Sequence, residues 1–139
     1  TIYIWGKKKK QTLQISYEPY NIASLAHEPY LMFVTKHIET YIAHIQKYLK
    51  WAAMATENGD SFEKDIGKAK SQMGLGHKYS FWSGNATNHY LHVQACSLGS
   101  CGKSGNFYFD EHNATVLLNL LNDLKNGSLP APDVGNKYD

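Results

Sequence analysis

Arginine is absent from this chain: all 14 basic residues are lysines. Bidentate guanidinium contacts to guanine edges or phosphates are therefore excluded. A basic surface here acts through point charges, which suits a sugar–phosphate backbone better than sequence reading. Cysteine is scarce too, with only Cys96 and Cys101. That excludes a multi-bridge disulfide framework. The expectation is two free thiols in a reducing compartment, with a Cys96–Cys101 disulfide as the alternative. No apolar run approaches the ~20 residues needed to span a bilayer, and no charged-then-apolar leader is seen. An intracellular protein with no membrane partner is expected. The Asn-x-Ser/Thr triplets at Asn85, Asn113 and Asn126 are then read as chance. Nucleophile elbows, phosphate-binding loops and His-Glu-x-x-His motifs are all missing. The adjacent Asp110-Glu111 pair reads as a helix start. No enzymatic activity and no cofactor are expected.

What is present is enough for one shared core. The chain has 139 residues, 42% of them hydrophobic, which is the size of a single domain. The formal charge is only +2, but it is uneven. Residues 1–50 carry seven lysines against three acids, and residues 101–139 three lysines against five acids.

The sequence echoes itself. Residues 32–50, MFVTKHIETYIAHIQKYLK, align without a gap on residues 107–125, FYFDEHNATVLLNLLNDLK, with His37 on His112, Thr40 on Thr115, Leu49 on Leu124 and Lys50 on Lys125. Upstream, Ile4-Trp5-Gly6 matches Phe81-Trp82-Ser83-Gly84, and Leu13-Gln14-Ile15 matches Leu91-His92-Val93. A repeat of this period changes the reading of the whole fold. It predicts an α+β protein of two tandem βββα units (1–58 and 78–127) related by a pseudo-twofold axis. A linker (59–77) joins them, a flexible tail (128–139) follows, and antiparallel sheets pack on two helices.

Alternation places strands at Thr1–Trp5 and Thr12–Tyr17, a hairpin with Lys7, Lys8, Lys9 and Lys10 at its tip. Two Glu-Pro pairs mark residues 18–29 as a loop. Tyr30–Val34 is the third strand, and Thr35 is expected to cap the helix that follows. Its apolar stripe is Ile38, Tyr41, Ile42, Ile45, Tyr48, Leu49 and Ala52, and Asn58-Gly59 stops it. The linker is polar, with a short helix expected near Phe62–Lys70. Strands follow at Lys78–Ser83, His89–Cys96 and Phe107–Phe109. Asp110 caps the second helix, whose stripe is Val116, Leu117, Leu120, Leu121 and Leu124. Lys125-Asn126-Gly127 ends it.

Each sheet then hides one apolar face under a helix. The outward faces carry Tyr3, Trp5 and Gln14 in one half and Lys78, Trp82, Tyr90 and His92 in the other. Aromatics beside small polar groups suit base stacking, which is tolerant of sequence. A competing motif is the run His89, His92, Cys96, Cys101, whose nitrogens and sulfurs would suit zinc. His89 and His92 point to opposite faces of a strand, so no metal is expected.

Strand, hairpin, strand, helix, duplicated in one chain, resembles the Whirly family and the kinetoplastid mitochondrial RNA-binding proteins. Each half resembles the positive cofactor four coactivator, which forms the same arrangement by dimerising. The stretch Ile2-Tyr3-Ile4-Trp5-Gly6-Lys7 through Ile15-Ser16-Tyr17-Glu18-Pro19 is similar to the start of a Whirly domain. Where that family has Lys-Gly-Lys-Ala-Ala-Leu, this chain has Gly6-Lys7-Lys8-Lys9-Lys10-Gln11. The resemblance implies four strands per unit, hence a further strand within residues 20–28 or 70–78. It also implies single-stranded DNA or RNA binding with little sequence preference and a role in transcription regulation. The binding residues would be Tyr3, Trp5, Lys7–Lys10, Gln14, Lys78, Trp82, Tyr90 and His92. The alternative is a protein-interaction module, such as a viral or phage accessory or inhibitor factor, that docks a partner through the same face. A homo-oligomer that buries these faces against each other stands between the two.

Overall fold

The computed structural model describes residues 2–5, 11–16 and 30–129, without the side chains of Tyr3, Trp5 and Ser104. It is α+β, with antiparallel sheets and two helices. Strands β1 (Ile2–Trp5), β2 (Thr12–Ser16) and β3 (Tyr30–Val34) form one sheet in the order β1-β2-β3. A single 3-10 turn (Thr35–His37) leads into α1 (Ile38–Asn58). Strands β4 (Glu63–Lys70), β5 (Leu75–Ser83), β6 (His89–Ser97) and β7 (Ser100–Phe109) form the second sheet as a simple meander, and α2 (Glu111–Asn126) closes the described order. Among the described residues, no helix is long and apolar enough to cross a membrane.

The largest departure from the sequence reading is β4. Residues 63–70, expected as a polar linker with a short helix, are a strand, and β5 begins at Leu75 rather than Lys78. A bulge between Asp65 and Gly67 shifts the pairing with β5. It puts the buried residues Ile66 and Ala69 three apart instead of two, so the alternation that marks a half-buried strand is erased. A Cβ on Gly67 would stand 2.5 Å from the His44 ring of α1, so a larger residue here would displace that ring.

Helix α1 follows its stripe. Ile38, Tyr41, Ile42, Ile45, Tyr48 and Ala52 are buried, and Leu49 is half-buried. Thr35 does not cap it: the chain enters through the 3-10 turn, and no side chain bonds the helix start. Gly59, left-handed at φ 70°, ends it. In α2 the Asp110 carboxylate accepts from the Asn113 amide at 2.7 Å, as expected of an N-cap. Val116, assigned to the buried stripe, is 40% exposed, and Ala114 is buried instead. Leu129, assigned to the tail, is buried, and its carbonyl accepts from Gln11 Nε2.

One continuous core joins both sheets and both helices. It runs from Leu13, Leu31 and Phe33 through the α1 stripe to Tyr79, Phe81, Leu91 and Val93, and on to Leu117, Leu121 and Leu124 of α2. Helix α1 ties down β4, which has a paired neighbour on one side only. The Tyr41 hydroxyl donates to the Lys70 carbonyl at 2.6 Å, and His44 Nε2 bonds the Lys68 carbonyl at 2.9 Å. One turn further along, the Tyr48 hydroxyl donates to the His89 carbonyl at 2.6 Å. Lys125 of α2 pairs with Glu39 of α1 at 2.7 Å.

The cysteines are not free. Cys96 and Cys101 are disulfide-bonded across the turn between β6 and β7, where they sit as direct pairing partners. The chain reverses there through Leu98 (φ 50°) and Gly99 (φ 83°). Both central residues thus take the positive φ that a two-residue hairpin demands. The two cysteines are five positions apart in sequence, and the tight antiparallel reversal sets them directly opposite each other.

His77 gives the core a pH dependence. It is buried between the rings of Phe33 (4.8 Å) and Tyr41 (5.3 Å), and Nδ1 shares a hydrogen bond with the Tyr79 hydroxyl at 2.9 Å. Nε2 makes no hydrogen bond of ordinary geometry, although the Met32 carbonyl lies close enough to favour the charged ring. Burial outweighs that carbonyl and lowers the pKa to about 4. The unfolded chain binds the proton near pH ~6.5, so the folded state is disfavoured as pH falls between the two values. Stability is therefore full above pH ~6.5 and declines toward pH ~4, by up to about 1.4 kcal/mol per pH unit. Urea midpoints measured at pH 7 and pH 4.5 should fall less for His77→Phe than for the wild type. Equal falls would assign the acid sensitivity to other groups.

Candidate nucleic-acid interface

The outward face of the four-stranded sheet is ordered by register. In antiparallel pairing, residues opposite each other share a face, and the next row on that face lies two residues along, roughly 7 Å away. The first row is Glu63, Trp82 and Tyr90; the second is Asp65, Ser80, His92 and Tyr108. The third is Lys68, Lys78, Gln94 and Asn106. Lys70 and Gly76 follow beside the disulfide. The face thus changes along the strands from carboxylates and rings to lysines and amides.

The rings form a connected group. His92 and Tyr108 stack in parallel, 4.5 Å apart with 4° between planes. Trp82 meets Tyr108 at 5.9 Å and Tyr90 at 6.3 Å. Tyr108 is 54% exposed and Trp82 39%, both large for aromatic side chains with a sheet beneath them. Such rings offer flat π surface to water. Polar neighbours hold them in place. The Trp82 indole N–H donates to Glu63 Oε1, and the Ser80 hydroxyl donates to Asp65 Oδ1 at 3.3 Å. His92 Nε2 bonds Asn106 Oδ1 at 2.9 Å, which also accepts from Gln94 Nε2 at 3.1 Å. Asn106 Nδ2 in turn donates to the Gly102 carbonyl at 3.0 Å. An open cleft of about 370 Å³ lies against this end of the face, with Glu63, Lys64, Asp65, Ser80, Trp82 and His92 in its wall.

Of the residues singled out from sequence, Lys78, Trp82, Tyr90 and His92 are brought together on this face. Gln14 lies in the other sheet, half-buried and opposite Tyr3 and Met32. Tyr3 and Trp5 are in β1 with their side chains outside the described residues, and Lys7–Lys10 lie wholly outside them. Four members of the face were missed. Tyr108 sits between the inward residues Phe107 and Phe109, so alternation already assigned it outward. Glu63, Asp65 and Lys68 gave no such signal, because β4 has no alternating apolar residues.

The zinc arrangement is replaced by other bonds. The sulfurs are joined to each other, and His89 faces inward, stacked on Phe81 at 5.3 Å, with Nδ1 on the Ser83 hydroxyl at 2.7 Å. Among the described residues, no three His, Cys, Asp or Glu side chains gather as a metal site requires. No family model matches this chain, and neither a curated protein nor a solved structure is significantly similar to it.

Proposed function

We propose that this protein binds single-stranded DNA or RNA without catalysis and with little reading of sequence order, using the outward face of the four-stranded sheet. The observation that carries the reading is the connected ring group Trp82, Tyr90, His92 and Tyr108, whose members lie one or two rows from Lys68 and Lys78. Bases stack on rings of any kind, and lysines neutralise phosphates without needing guanidinium geometry. Tyr3, Trp5, Gln14 and Lys7–Lys10 belong to the proposal as a second contribution from the N-terminal sheet. So does the pseudo-twofold pair of strand-and-helix units with its Whirly-like resemblance. A role in transcription regulation, an intracellular location and self-association are further parts of it. Inside a cell, the Cys96–Cys101 bridge would persist only where thiols are not kept reduced.

Oligonucleotide titration followed by tryptophan fluorescence tests the reading. Trp82 lies on the face, whereas Trp51 packs beneath the sheet against Phe62 and Phe81. Binding should quench the emission and weaken steeply with salt, with log K falling by about 0.7 per phosphate neutralised for each unit of log salt. No binding of DNA or RNA at low salt would overturn the proposal. A salt-insensitive protein partner competing for Trp82 would favour the docking-module alternative.

A further inference from the structure

Resting on that reading, we infer that the face has a polarity that selects among bases: it prefers bases with hydrogen-bond donors on the Watson–Crick edge, guanine foremost, over thymine and uracil. Glu63 and Asp65 adjoin Trp82 and Ser80 in the cleft, and each uses one carboxylate oxygen within the sheet. Among the described residues, Glu63 Oε2 and Asp65 Oδ2 have no partner, and both residues are exposed. These oxygens only accept hydrogen bonds.

Two consequences follow from the charge. Lys64 also lines the cleft, but its ammonium lies 5.2 Å over the Trp51 ring on the other side of the sheet. A phosphodiester on the outward face is therefore repelled from the carboxylate end and drawn to Lys68 and Lys78, and the backbone crosses the sheet along the lysine row. Trp82 lies four residues from Lys78 along the same strand, roughly 13 Å away. That separation is comparable with the reach of a nucleotide from phosphate to the far edge of its base. A base stacked beside Trp82 therefore turns its Watson–Crick edge to the carboxylates. Guanine presents N1–H and the N2 amino group side by side, a donor pair that converges on the free oxygen of one carboxylate, whose other oxygen is held by Trp82 or Ser80. Cytosine and adenine present one amino group each. Thymine and uracil flank their single N–H with two carbonyl oxygens, which the carboxylates repel. Stacking alone would not discriminate in this way.

The test compares 12-mers of dT, alternating dT-dC and alternating dT-dG, plus the last with inosine replacing guanine. Wild type and the Glu63→Gln/Asp65→Asn double variant are titrated at one salt concentration. The expected order is dT-dG, then dT-dC, then dT. About tenfold should separate the extremes, the scale of one bidentate side-chain–base contact. Inosine, lacking the N2 amino group, should lose most of the guanine advantage. The double variant should lose the preference, binding the four strands within about twofold of one another. Both carboxylates are exposed, so folding is not at risk. Equal binding of all four strands by the wild type would overturn this inference and leave nucleic-acid binding standing. A preference that survives in the double variant would overturn it as well. No binding of any strand would remove both.

Discussion

Replacing Phe81 with alanine is expected to lower folding stability by about 3–5 kcal/mol, the range for a fully buried aromatic ring. Phe81 has no exposed surface. It stacks on Phe62 at 4.6 Å and on His89 at 5.3 Å, and it meets Tyr48 at 5.8 Å and Trp51 at 6.0 Å. Helix α1, the segment entering β4, and strand β6 all converge on this one ring. Two of its four ring neighbours are not free to fill the void, because Tyr48 is held to the His89 carbonyl and His89 to Ser83. On that side the cavity stays open, and most of its cost is felt. Native domains keep only about 5–15 kcal/mol of stability, so the variant should be marginal at room temperature. Urea unfolding monitored by far-ultraviolet circular dichroism would show a large drop in midpoint at an unchanged slope. A loss under about 1 kcal/mol would mean that the sheet and α1 are not joined through this ring. Phe62→Ala, at a half-buried position, should cost less.

The second large effect concerns binding rather than folding. In Trp82→Ala/Tyr108→Ala, two members of the ring group are lost while the lysine row remains. Each stacked base is worth about 1–3 kcal/mol, so nucleic-acid affinity should fall by roughly one to three orders of magnitude. The rings touch each other at 5.9 Å, and the double loss should differ from the sum of the single losses. Both side chains are exposed, and stability should change by no more than about 1 kcal/mol for the pair. If the proposed interface is right, the salt dependence should survive, because Lys68 and Lys78 remain to neutralise phosphates. In Lys68→Gln/Lys78→Gln the pattern reverses: the slope against salt shrinks and ring quenching persists. Unchanged affinity in the double alanine variant would leave the lysines as the whole interface and remove the rings from the functional account.

How much of this was legible in the chain differs from element to element. Strand β6 was read correctly down to its faces, with Leu91, Val93 and Ala95 inward and Tyr90, His92 and Gln94 outward, because each assignment depends only on the residue next door. The α1 stripe and the Asp110 cap were legible for the same reason: a helix turn and a cap close within four residues. Val116 failed because a stripe has a width. Which of its margins is covered depends on how far the neighbouring elements extend. Strand β4 failed because its one bulge breaks the alternation and its outward side is all charged. Nothing within residues 63–70 announces a strand, and the pairing with β5 is what makes it one. The disulfide failed because spacing says how far apart two cysteines are in sequence and not that a tight reversal sets them opposite each other.

The amino acids in order thus determined the α+β class, the two helices with their buried sides, and which residues of β5 and β6 turn outward. All of these are set by interactions between residues a few positions apart. Tertiary structure alone decided that Glu63 and Asp65 stand beside Trp82, that Lys68 stands beside Lys78, and that Tyr108 lies on His92. Those neighbours come from strand register, which is chosen by hydrogen bonding between distant segments and by the shared core that holds them in place.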